Sequence, residues 1–374
     1  MGGVKINNIR KIRTNVIIFL LVLSFFCFAF FIFKSGFTIQ TLKDIFYTEK
    51  MNKNFLNSKI KSGNLSTDYK IDVVLNDVEK FGLNTINVPV IVDIKNLSSS
   101  DMKVNEESEE KAIELIKKLK SRKINIILEA YPWIKNGELY ETKWKPNNIN
   151  EFFLNWKNNA LKVLIDDIAV PYKVEALNVA SNFVNMEYAE GYWCDTIDFV
   201  RKYYKGFVTY RTCWWYTALW DDKTQENFTK KLSNKLYSKL DFISVGAYFE
   251  LSDKDTNSTT ELVSYISNVQ KFKRSQNISK ELYTLSRKWK KPIFFGELGF
   301  PKRNKAASEP WNPLPSKVVN NEEQARCFEA YRRVFENKKW FLGFSIFAIG
   351  EDSSDKTYYP SEKSVSIIKN WYNK

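Results

Sequence analysis

The chain has 374 residues, with 57 Lys and Arg against 43 Asp and Glu, a formal net charge of +14 and no histidine. Imidazole general bases and histidine-ligated metals are therefore excluded, and the four cysteines contain no Cys-x-x-Cys pair, which excludes a thiol-rich metal site. The basic excess falls in short clusters, such as 117–120 and 287–291, on amphipathic stretches; no nucleic-acid recognition motif accompanies it.

The first predicted element is an uncharged apolar run over 16–33. It exceeds the lower bound of about 17 residues for a membrane-spanning helix. Lys5, Arg10, Lys11 and Arg13 precede it. The positive-inside rule then predicts a cytoplasmic segment over 1–15, a single-pass anchor in a bacterial membrane over 16–33, and an extracytoplasmic body over 34–374. The run is longer than a signal-peptide core and lacks a small-residue cleavage site, so a retained anchor is the reading preferred to a cleaved signal. Cys27 lies inside it, and Cys194, Cys213 and Cys327 lie beyond.

The body alternates short apolar runs with helical patterns. A weak strand is expected at 37–40, within a polar stretch over 34–68 that reads as a stem or a lid. A helix over 69–81 closes at Gly82. Further strands are expected at 84–92, 124–129, 176–180, 207–211, 242–246, 293–295 and 342–347. Helices are expected at 106–120, 150–164, 193–204, 230–237, 277–289, 321–335 and 365–372. Strand–helix alternation of this length predicts a (β/α)8 TIM barrel; no Gly-rich phosphate loop follows an early strand, which disfavours an open doubly wound sheet.

A barrel gathers its strand exits around one mouth. Here those exits carry aromatic and polar residues: Tyr131 and Trp133, then Asn182, then Tyr210, Arg211, Trp214 and Trp215, then Tyr248, and finally Phe347. Aromatic faces suit sugar rings, while Arg, Asn and Tyr bond hydroxyls, so these residues and Trp311 are candidates for carbohydrate binding. The sharpest signal is Gly296-Glu297-Leu298-Gly299, a carboxylate at the end of the apolar run 293–295. Glycoside hydrolysis needs two carboxylates, one as nucleophile or base and one as proton donor. Glu297 fits the first role, oriented by Tyr248. The alternative is a structural carboxylate paired with Arg211. No metal or other cofactor enters this chemistry.

The ordered motifs resemble glycoside hydrolase family 113, the β-mannanases of the large clan of retaining barrel hydrolases. They are Gly82-Leu83-Asn84-Thr85-Ile86-Asn87-Val88-Pro89, Leu240-Asp241-Phe242-Ile243-Ser244-Val245-Gly246-Ala247-Tyr248, and Lys291-Pro292-Ile293-Phe294-Phe295-Gly296-Glu297-Leu298-Gly299-Phe300. Pro310-Trp311, Glu323-Gln324-Ala325 and Trp340-Phe341-Leu342-Gly343 follow. The resemblance covers about 73–371 and implies Glu297 as nucleophile, with retention of configuration. In that family the fourth strand ends in a small-small-Glu-Leu run whose glutamate is the acid/base; here the matching run is Ala180-Ser181-Asn182-Phe183, so Asn182 occupies that position. The eighth strand also lacks the family's tryptophan platform. Glu129, Glu187 or Glu190 is then the substitute acid, or the leaving group needs no proton, or the cleft only binds. The resulting expectation is a membrane-anchored, extracytoplasmic glycoside hydrolase acting on a β-linked cell-envelope or extracellular polysaccharide. The alternative is a catalytically inactive glycan-binding or envelope-polysaccharide assembly protein.

Overall fold

A computed structural model gives the structure of residues 55–351 and 356–372. Its barrel strands are β1 (Ile60–Leu65), β2 (Thr85–Ile94), β3 (Asn125–Ile134), β4 (Ala176–Ser181), β5 (Phe207–Thr212), β6 (Ile243–Gly246), β7 (Ile293–Leu298) and β8 (Phe341–Ile349). All neighbours pair in parallel and in chain order, and β1 pairs with both β2 and β8, so the sheet closes on itself. A two-residue strand, Lys103–Val104, is added antiparallel to β2. Helices α1 (Ile71–Phe81), α2 (Glu106–Ser121), α3 (Ile149–Asn155), α4 (Glu190–Tyr203), α5 (Asp222–Ser233), α6 (Thr259–Ser267), α7 (Ile278–Trp289), α8 (Asn321–Phe335) and α9 (Glu362–Asn370) surround it. The TIM-barrel expectation holds for this body.

Local chemistry places these elements. Asn105, Asn148, Asn277 and Asn320 each accept a backbone N–H three residues on and so cap α2, α3, α7 and α8. Gly82 closes α1 in the left-handed region at φ 63°. The helices bury one face only; α8 lays Tyr331 and Phe335 against Phe295, with ring centroids 5.9 and 5.0 Å away. Phe55, Ile127, Phe242, Phe294 and Leu342 form a separate apolar cluster inside the strands' N-terminal end, which plugs the barrel opposite the mouth.

Several expectations are corrected. The weak strand at 37–40 lies outside the described residues, and the first barrel strand is instead Ile60–Leu65, within the stretch read as stem or lid. Its Lys61-Ser62-Gly63-Asn64 core is polar, so it carries no apolar run. The helix expected at 230–237 is two elements, α5 and a one-turn helix at Leu236–Lys239. The membrane anchor is corrected as well. Among the described residues no helix is long and apolar enough to cross a membrane, and the run at 16–33 lies outside them. The described helices are amphipathic because each packs one face on a barrel. The expectations of anchorage, a membrane partner and an extracytoplasmic location are corrected with it. Cys194, Cys213 and Cys327 are free thiols.

Candidate active site

The mouth is built on a polar barrel interior. Arg211 projects inward from β5 and is almost wholly buried. Its Nη2 donates to Glu129 of β3 and, at 2.8 Å, to the Ser181 hydroxyl of β4. The same nitrogen lies 3.2 Å from Glu297 Oε1. Its Nη1 donates at 3.0 Å to the Gly296 carbonyl, which also accepts from the Asn64 amide of β1. Gly296 is required by this close approach: a Cβ there would lie 2.0 Å from Ser244 Oγ and 2.9 Å from Arg211 Cδ.

A register shift aims the carboxylate. On β7, Phe294 points into the barrel plug, and Phe295 points outward to α8. Strict alternation would send Glu297 outward with Phe295. The pairing with β6 slips, however: Val245 matches Phe295, and Gly246 then matches Glu297. The extra residue turns Glu297 into the mouth, as a bulge does beside many active sites. The pKa of Glu297 is raised by burial; Arg211 opposes that rise, the Glu129 charge adds to it, and the polar groups of Asn182 and Tyr248 favour the carboxylate.

Asn182 sits just past β4, with a left-handed φ of 58°, a region asparagine tolerates better than most residues. Its Nδ2 donates at 3.3 Å to Glu141 Oε1. Its Oδ1 is buried and meets no donor among the described residues. Gly246 leaves space over both groups: a Cβ there would stand 3.3 Å from Asn182 Oδ1 and 3.7 Å from Glu297 Oε2. Glu141 belongs to a single 3-10 turn, Glu141–Lys143, in the loop after β3. Its pKa is pushed up to about 7, first by burial and then by the Glu297 charge, with Asn182 and Arg211 pulling the other way.

The other predicted carboxylates are tied elsewhere. Glu129 is held by Arg211 and Ser181 below the mouth. Glu187 accepts from Thr212, Tyr237 and Lys231, the last at 2.7 Å. Glu190 accepts the Lys235 backbone N–H at 2.7 Å at the head of α4.

The aromatic candidates divide. Tyr248 lies at the centre of a cluster, with Trp214 at 5.5 Å, Phe347 at 6.3 Å and Tyr358 at 6.5 Å between centroids. Tyr131 faces the mouth, where the Glu141 and Glu297 charges act on its hydroxyl. Trp133 stands 6.3 Å from it and lines a side pocket of about 520 Å³ with Asp93 and Asn105. Trp311 is half-exposed on the rim and donates to Glu250 at 3.0 Å. Tyr210 is fully buried against Trp193 at 5.1 Å, and Trp215 is packed on Phe249 and donates to Glu281 at 2.8 Å. Both are core residues: alternation along β5 sends Tyr210 to the side opposite Arg211, and Trp215, past the strand, is held by its packing and its bond to Glu281.

Sequence reading missed Glu141, Tyr358 and Asn64. Glu141 and Tyr358 lie on loops with no periodic signal, and Asn64 lies in the polar strand β1. A second cavity, of about 890 Å³, is lined by Asp77, Lys80 and Tyr359 away from Glu297. Its Asp77 is already engaged by the Tyr359 hydroxyl and the Gly350 N–H at 2.6 and 2.8 Å. Among the described residues, no group of three His, Cys, Asp or Glu is placed to hold a metal.

A closed parallel barrel with buried carboxylates and aromatic rings at the strands' C-terminal mouth is an architecture of sugar hydrolases. The profile of Glycoside Hydrolase Family 113 matches residues 58–367, and the chain belongs to that family. A solved family 113 β-1,4-mannanase superposes with a TM-score of 0.65 at 19% identity, over 84% of this chain and 99% of that one. The family 113 β-mannanase AaManA from Alicyclobacillus acidocaldarius, in complex with ManMIm, gives 0.65 at 15% identity, over 84% and 96%. A β-glucuronidase from Ruminococcus gnavus, in complex with D-glucuronic acid, gives 0.52 at 14%, over 84% of this chain and 49% of that one. At these identities the likeness concerns the fold. No curated protein matches the chain.

Proposed function

We propose that this protein is a retaining glycoside hydrolase of β-linked glycans, with Glu297 as the nucleophile. The observation that carries this reading is the bulge that turns Glu297 into the mouth, where Arg211, Tyr248 and Asn182 orient it beside an aromatic floor. A nucleophilic carboxylate needs a fixed direction and a charge-stabilising partner, and both are present. The Tyr248, Trp214 and Phe347 faces suit pyranose rings. Family membership and the β-1,4-mannanases of the same fold make β-1,4-mannan the first substrate to test.

The experiment is incubation of the protein with β-1,4-mannan, manno-oligosaccharides and a panel of other β-linked glycans, with products followed by mass and anomeric NMR. The parent is expected to release products of retained configuration. Glu297→Gln is expected to lose turnover by orders of magnitude while keeping ligand affinity. Equal loss of turnover and binding would sink the nucleophile assignment.

A second reading has its own observation: an amide, Asn182, stands at the exit of β4 where the resemblance leads one to expect an acid. A glycan-binding protein is the result if parent and Glu297→Gln both bind one glycan and neither cleaves any.

A further inference from the structure

We propose that Glu141, carried on the loop after β3 and aligned by Asn182, is the proton donor and acceptor of this site. The inference rests on the reading of Glu297 as nucleophile.

Its basis is geometric. Asn182 Nδ2 donates to Glu141 at 3.3 Å, and a Cβ on Gly246 would stand 3.3 Å from Asn182 Oδ1 and 3.7 Å from Glu297 Oε2, so Asn182 lies beside both carboxylates. Retaining glycosidases use two neighbouring carboxyl groups, and Asn182 lies beside both members of this pair. It is more than nine-tenths buried, and its Oδ1 is left without a donor, an acceptor waiting for a hydroxyl in the gap over Gly246.

The other candidate carboxylates are already engaged. Glu129, Glu187 and Glu190 are each tied to a cation: Arg211, Lys231 and Lys235. Among the described residues no cation forms an ion pair with Glu141. Asn182 after β4 bonds it, and the titratable and charged groups that interact with it electrostatically are Tyr131 of β3, Arg211 of β5 with Cys213 just beyond it, Tyr248 after β6 and Glu297 of β7. Burial first, and then the Glu297 charge, push the pKa of Glu141 up to about 7, while Arg211, which is shared with Glu129 and Glu297, only partly opposes them.

The chemistry then balances in two steps. Glu297 attacks the anomeric carbon as the bond to the leaving oxygen breaks, and the Glu141 proton goes to that oxygen. The products are an alcohol, a glycosyl ester on Glu297 and a Glu141 carboxylate. In the second step Glu141 takes a proton from water, the hydroxide oxygen bonds the anomeric carbon, and the ester bond breaks. Both residues return to their starting states.

The test compares leaving groups. The parent, Glu141→Gln, Asn182→Ala and Glu297→Gln are assayed on β-1,4-mannohexaose and on 2,4-dinitrophenyl β-mannoside, with the matching β-glucosides as a second pair. Glu141→Gln is expected to lose about 10²–10⁴-fold on the oligosaccharide. The dinitrophenolate leaves without a proton, so release of the first equivalent is expected at near the parent rate, and added azide is expected to restore turnover through a glycosyl azide. The parent's kcat/KM is expected to fall with rising pH through about 7, because the acid must be protonated. That limb disappears in Glu141→Gln. In Asn182→Ala it moves to higher pH, since a bond favouring the carboxylate is removed. If Glu141→Gln does not fold, Glu141→Asp is expected to keep the limb with a slower oligosaccharide rate.

Unchanged oligosaccharide rates and pH limb in Glu141→Gln, with Glu297→Gln inactive, overturn this inference and leave the hydrolase reading standing. Equal loss on both substrates with no azide rescue makes Glu141 structural and also overturns it. A parent inactive on all four substrates, or an active Glu297→Gln, overturns the hydrolase reading and this inference with it.

Discussion

Arg211 has to neutralise two buried carboxylates at once. Glu129 and Glu297 both lie against its Nη2, and the three side chains expose almost nothing of Glu129 or Arg211 and 13% of Glu297. Such a cluster contributes little net stability against an apolar substitute, yet removing one member leaves uncompensated charge. Arg211→Met is therefore expected to lower unfolding free energy by about 3–5 kcal/mol at pH 7, measured by urea titration. The sign with pH follows from Glu297, whose folded pKa is already raised by burial. A carboxyl raised in the folded state penalises folding above that pKa and is relieved as pH falls toward it. The loss in Arg211→Met is thus expected to shrink between pH 7 and pH 5. An equal loss at both values would mean that packing, rather than charge, sets the effect.

At the scale of elements, the loop 135–148 is decided by Trp144. That side chain is wholly buried between Phe152 and Phe183, with centroids at 5.0 and 5.3 Å, and its Nε1 donates to the Ser99 carbonyl at 3.0 Å. Asn185 donates to the carbonyls of Trp144 and Thr142 at 3.1 and 3.3 Å, which ties the loop to the segment after Asn182. Trp144→Ala is expected to cost about 3–5 kcal/mol. It is also expected to lower oligosaccharide turnover more than dinitrophenyl glycoside turnover, since the barrel keeps Glu297 while the loop loses its seat. A uniform loss on both substrates would argue that Trp144 supports the barrel alone.

The same elements explain what could be read from the chain. Seven strands and the closing helix pattern were visible because a parallel barrel buries both strand faces, leaving apolar runs such as 293–295. Strand β1 was hidden because its inner face serves the polar network, with Ser62 bonded to Asn87 at 3.0 Å and Asn64 to Gly296. Glu297 was legible as a carboxylate at a strand exit, although not the register slip that turns it inward. Glu141 was not, because its position depends on how a non-periodic loop packs, and the acids Glu187 and Glu190 drew attention only through nearness in sequence to Asn182. Tyr210 and Trp215 were placed at the mouth by their neighbours, whereas one step of alternation from Arg211 puts Tyr210 in the core and loop packing on Phe249 buries Trp215.

For the whole molecule, the closed sheet separates a part that holds shape from parts that bring chemistry to it. The plug of Phe55, Phe242 and Phe294 and the outer helix layer secure the barrel. Glu297, fixed on β7 by neighbours on both sides, inherits that security. Glu141 does not: one turn of 3-10 helix on a connection between elements opens at a lower free energy than a central strand does. On warming, then, the chain is expected to pass through a state in which the barrel is intact and Glu141, the proposed proton donor, has drifted away from Glu297. Turnover of oligosaccharide is expected to fail several degrees below the circular-dichroism midpoint and to return on cooling; coincident, irreversible loss of both signals would count against it. Such a protein carries its off-state within its native ensemble, reached by heat alone and left again without refolding.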